Sequence, residues 1–197
     1  MTGSLPEEER LRADLYSLLA RLLSGPPEQS DLDALAGLRG DDGDLGRGIT
    51  ALAKVARITT PEAAAREYNA LFIGLGRGEL LPYGSYYLTG FLNEKPLARL
   101  RAHMAKLGLA RDPDVTEPED HIASLCEMMA GLITGAFGVQ LRLADQEAFF
   151  NSHIAQWAGH FFTDLEGAEG SLLYAPVGKI GRAFMEIEIE AFRMEGG

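Results

Sequence analysis

Apolar residues recur at helical spacing along almost the whole chain, and no series of short alternating segments competes with them. A chain patterned this way can bury its apolar stripes only by packing helix on helix. Leu11, Leu15, Leu18 and Leu22 form the first stripe, opened by a capping box of Ser4 and Glu7 and ended by Ser24-Gly-Pro-Pro. Further helices are expected over 31–38, 47–57 and 61–72, the last with Pro61 in its first turn. Asn93 is expected to cap a helix carrying Leu97, Leu100, Met104 and Leu107. Thr116 with Glu119 reads as a second capping box, opening a helix over 117–137. Another is expected over 145–165, with Phe150, Ile154, Trp157 and Phe161 on one face. Ile187 and Ile189 alternate with glutamates as a strand would, but the longer spacing of Ile180, Phe184, Ile187, Ala191 and Met194 favours a helix. The expected fold is all-α, one bundle of about seven helices over 1–197, with 108–116 as a central linker and hinge.

At 197 residues the chain can bury roughly 70% of its extended surface without staples. Its one cysteine, Cys126, leaves no internal disulfide and fits a reducing compartment. Residues 1–10 are acidic and lack an apolar h-region, so no secretory signal is expected. The least polar stretch, 125–139, carries Glu127 and falls short of the ~20 apolar residues of a membrane span. A formal charge of −11 argues against a nucleic-acid binder and suits either basic peptides or simple solubility.

Several chemistries fail on spacing. Gly74-Leu-Gly-Arg-Gly78 lacks the Lys-Ser/Thr and preceding strand of a phosphate loop. A di-iron bundle needs Glu-x-x-His pairs, whereas Leu100, Pro118, Phe150 and Trp157 stand three before the four histidines. His153 and His160 lie a heptad apart, as two polar positions on one face would. Cys126 sits in the most apolar helix, where a thiol is inert. No cofactor, metal or catalytic residue is expected.

Two segments stand out. Glu117-Pro-Glu-Asp-His121 reads as an acidic helix start, with His121 above Leu125, Met128 and Leu132 and a polar stripe of Asp120, Ser124 and Glu127 beside it. It suits a ligand carrying both cationic and apolar groups, and equally a satisfied core histidine. Leu81-Pro-Tyr-Gly-Ser-Tyr-Tyr87 is either a rigid amphipathic wall for a peptide or packing at a bent connection.

The ordered set of Glu67-Tyr-Asn-Ala-Leu-Phe-Ile-Gly74, Leu81-Pro-Tyr-Gly-Ser-Tyr-Tyr-Leu88, Glu117-Pro-Glu-Asp-His-Ile122 and the phenylalanine-rich 149–161 resembles the TorD/DmsD/NarJ family. That resemblance implies an all-α cytoplasmic chaperone without catalytic activity, able to exchange halves between protomers as a monomer or swapped homodimer. Its partner would be the twin-arginine leader, and often the apo-body, of a molybdopterin oxidoreductase held back until cofactor insertion. Carried over, the leader-binding residues are Pro82, Tyr83, Ser85, Tyr87, Glu117, Asp120 and His121. On chemistry, Glu127, Met128 and Trp157 join them: acids for guanidinium pairing, apolar side chains for the leader's apolar stretch. Some relatives have tryptophans where this chain has tyrosines, which bears on the client. The run from Gly78 to Tyr87 resembles chaperones of formate dehydrogenases. Guanine-nucleotide binding, attributed to some members, has no visible site here. The competing classes are a small helical nucleotide-binding enzyme and an adaptor without an exported client.

Overall fold

The computed structural model describes residues 5–111 and 115–195. Ser4 of the expected capping box and residues 112–114 of the expected hinge lie outside the described residues. Among the described residues the chain is all-helical, as its periodicity requires, with α1 (Glu7–Ser24), α2 (Gln29–Ala36), α3 (Asp44–Ala56), α4 (Pro61–Tyr68), α5 (Gly84–Thr89), α6 (Lys95–Lys106), α7 (Ile122–Thr134), α8 (Leu143–His153), α9 (Ala158–Gly167) and α10 (Tyr174–Glu195). A π-helical turn over Asn69–Ile73 extends α4 and ends at Gly74, whose φ of 61° suits glycine. None of these helices is long and apolar enough to cross a membrane.

The helices exceed the expected number for two reasons. The tyrosine segment, with no helix expected over it, contains α5. The helix expected over 145–165 breaks into α8 and α9, because the indole N–H of Trp157 donates to the carbonyl of His153 at 2.8 Å. A continuous helix would have given that carbonyl to the backbone N–H of Trp157, which instead bonds Ile154 at 3.2 Å. His153 and His160 therefore belong to different helices and not to one face.

Two stripes are rotated from their expected places. On α1 the buried positions are Ala13, Tyr16, Leu19, Leu22 and Leu23, while Leu11 is exposed. Arg12 is buried beside them, donating to Glu9 at 2.7 Å and to Gln146 at 2.9 Å. On α10, Ile180 and Phe184 are buried as expected and Phe192 joins them, but Ile187 and Met194 face solvent and Glu188 is fully buried.

The chain forms two compact units, one from Met1–Arg21 and Tyr83–Trp157, the other from Leu22–Pro82 and Ala158–Gly197. In the second, α10 packs on α9 and α3 through small residues. A Cβ at Gly181 would fall 2.2 Å from the Phe162 ring, and one at Gly178 2.4 Å from the backbone of Glu166. The carboxylate of Glu67 accepts from the backbone N–H groups of Leu172 (2.9 Å), Leu173 (3.1 Å) and Tyr174 (2.8 Å), anchoring the start of α10. Arg182 ties α10 to Glu166 and Asp44, both at 3.0 Å. In the first unit, α5 meets α6 and α7 meets α8, and the two singled-out segments come together.

Candidate functional site

Tyr83 and His121 face each other across a single antiparallel backbone bridge. Beside it the N–H of Gly84 donates to the Asp120 carbonyl at 2.9 Å, and the N–H of Ser85 to Asp120 Oδ2 at 2.7 Å. Asp120 thus holds the first turn of α5, where a carboxylate complements the exposed N–H groups. The bridge also explains where α7 begins. Residues 117–120 form a turn, with the His121 N–H on the Pro118 carbonyl at 3.0 Å, and the extended backbone of His121 serves the bridge. The helix expected from 117 therefore opens at Ile122, with His121 as its cap. The expected capping role of Glu119 goes elsewhere: buried, it receives a bidentate pair from Arg101 at 2.8–3.1 Å. Burial alone would raise the Glu119 pKa, but the Arg101 bonds and charge hold it below the usual carboxylate value.

His121 caps α7 through Nδ1, which accepts from the Ala123 N–H at 3.1 Å, so its proton resides on Nε2. Burial pushes its pKa down to about 4, against the opposing pull of Glu117 and Asp120. The ring is neutral near pH 7 and packs edge-on against Tyr83, centroids 5.0 Å apart. The Tyr83 hydroxyl donates to Glu117 Oε2, fixing an otherwise exposed carboxylate at the surface.

The geometry sorts the expected site residues. Tyr83, Ser85, Glu117, Asp120 and His121 converge. Tyr87 lies half-buried on the Trp157 ring, centroids 5.5 Å apart, but Trp157 itself is 1% exposed. Gly84 permits this packing, since a Cβ there would sit 3.0 Å from the indole nitrogen. Met128 is buried within α7 and Glu127 is exposed on it. Pro82 is buried in the second unit. Accessible at this edge are Tyr83, Tyr86, Tyr87 and Glu117, followed along the chain by exposed Leu88, Phe91 and Leu92.

Sequence reasoning missed three features. Arg101 is one, although a buried Glu119 would have demanded a cation. Another is the pair His103 Nδ1···His153 Nε2 at 2.8 Å, both rings against Phe149. Burial, followed by nearby cationic groups, lowers both histidines, His153 to about 4. The third is a pit of about 10 Å³ lined by Gly84, Leu88, Pro96, Leu100, Asp120, Leu125, Ser152 and His153. Cys126 is fully buried, and burial drives its thiol pKa upward.

Comparison with known proteins shows which family the chain belongs to. The chaperone protein TorD of Vibrio atlanticus (strain LGP32) is 29% identical over 201 residues, covering 91% of this chain and 93% of that protein. TorD of Vibrio cholerae (strain O395) is 28% identical over 129 residues, 62% of this chain and 59% of that one. A crystal structure of a candidate redox enzyme maturation protein from Archaeoglobus fulgidus superimposes with a TM-score of 0.56 at 27% identity, covering 94% of this chain and 96% of that one. The model of the nitrate reductase delta subunit family matches residues 39–163. The chain belongs to that family, the TorD-like chaperones of redox enzyme maturation.

Proposed function

We propose that the chain is a cytoplasmic, system-specific chaperone that binds the twin-arginine leader of a molybdopterin oxidoreductase, and its apo-body, before export. The observation that carries this reading is the edge built by Tyr83 and Glu117. A carboxylate exposed at the surface and oriented by a tyrosine hydroxyl is ready for a bidentate guanidinium pair, which is directional as well as electrostatic. Half-exposed Tyr86 and Tyr87 and exposed Leu88, Phe91 and Leu92 offer the apolar surface that the rest of a leader needs. Asp120 and His121 hold this edge from beneath, and Glu127 adds an acid on α7. Pro82, Ser85, Met128 and Trp157, all buried, support the shape and do not touch the peptide in this arrangement. Formate dehydrogenase is the client we favour, on the run from Gly78 to Tyr87. The segment 108–116 is assigned as the hinge through which protomers exchange halves.

Calorimetric titration with the twin-arginine leaders of the source genome tests this. One or two leaders bind with micromolar or tighter affinity, on the order of −8 kcal/mol, and changing both arginines to lysine weakens binding about 10-fold or more. Leaders that all fail to bind, or a lysine pair that binds equally well, would overturn the assignment.

A further inference from the structure

The carboxylate of Asp120 is only half used. It is 3% exposed, Oδ2 takes the Ser85 N–H, and no hydrogen-bond donor among the described residues reaches Oδ1. A buried carboxylate oxygen without a donor is costly and rare. The guanidinium of Arg101 acts on Asp120 through charge but gives its hydrogen bonds to Glu119. His153, which lines the same pit, is neutral near pH 7 and shares Nε2 with His103. Asp120 Oδ1 therefore lacks a direct donor beside the pit that Asp120 lines.

The pit's shape limits what can answer that oxygen. Pro96, Leu100 and Leu125 wall it with apolar groups, while exposed Leu88 and Ser152 stand at its mouth. Its volume of about 10 Å³ admits one water-sized group. A planar guanidinium with three nitrogens does not fit; the compact head of an alkylammonium does. We propose that the Asp120 pit is a subsite for one primary ammonium, a lysine side chain of the bound peptide that enters between Leu88 and Ser152. Arginine is left to the Glu117–Tyr83 edge. The assignment of the lysine to a client peptide rests on the function proposed above; the ammonium chemistry of the pit does not.

The test uses the full-length chain with ¹³C-labelled aspartate carboxyls, titrated with methylammonium chloride and, separately, guanidinium chloride. One carboxyl resonance shifts saturably with methylammonium, is missing in Asp120→Asn, and responds about tenfold more weakly to guanidinium. Ser152→Lys, a surface change that tethers an ammonium at the mouth, abolishes the methylammonium response while the helical circular dichroism stays unchanged. Equal responses to the two cations would overturn the size argument. No saturable response to either would mean that the pit holds water only and would overturn the proposal, leaving the leader titration to stand or fall alone. A Ser152→Lys protein that still responds fully would move the site away from this mouth.

Discussion

Glu67 and Asp120 both sit in segments that carry the family resemblance, and both use a carboxylate to hold a helix start, yet they are used to opposite degrees. Glu67 spends both oxygens on three backbone N–H groups at the head of α10. Asp120 spends one oxygen on Ser85 and keeps the other, buried, beside a pit. A fully satisfied acid contributes to stability and offers nothing to a ligand. A half-satisfied one has unused acceptor capacity, which is the ground of the ammonium subsite proposed above. Similar residues in similar motifs thus differ in how far the fold itself satisfies their oxygens.

Acid gives the largest effect and breaks the comparison from the side of Asp120's neighbour. His121 caps α7 only while Nδ1 is unprotonated. Between about pH 6.5 and 4 the unfolded chain binds a proton at this residue that the folded chain does not, so stability falls as pH drops through that window. The loss is on the order of 3 kcal/mol by pH 4, measured by urea unfolding, and His153 adds to it in the same direction. His121→Asn, which keeps a capping acceptor, flattens this part of the profile.

Glu67→Ala comes next. Removing three charge-assisted bonds from the head of α10 is expected to cost about 2 kcal/mol, read as a lower midpoint in thermal unfolding. Asp120→Asn is the smallest. Asparagine still accepts from Ser85 and removes a charge that lacks a donor, so stability shifts by less than about 1 kcal/mol while leader affinity drops. A large stability loss in Asp120→Asn, or none in Glu67→Ala, would erase the distinction between the two acids.

The fold class was legible because helical periodicity is a local signal, and each helix expected at sequence level has a counterpart near its expected place. Side-chain competition for backbone groups was not. Trp157 breaks a helix by taking one carbonyl, and the backbone bridge to Tyr83 delays α7 to Ile122, neither of which a periodicity window contains. The converging site residues were legible only through the resemblance, since Ser85 and Asp120 are 35 positions apart. The partners of Glu67 are more distant still, and Arg101 had no visible partner until Glu119 was seen to be buried.

The two units are interleaved along the chain: Leu22–Pro82 opens the second before Tyr83–Trp157 has closed the first. Synthesis from the N-terminus therefore has an order built into it. The unit bearing the Asp120 edge possesses all its residues once Trp157 leaves the ribosome, while the other, begun at Leu22, waits for α9 and α10. A premature stop after Trp157 would leave the unit of Tyr83 and Asp120 with all its residues and deprive its companion of α10, so a truncated chain would lose the Glu67 anchor and keep the Asp120 bracket.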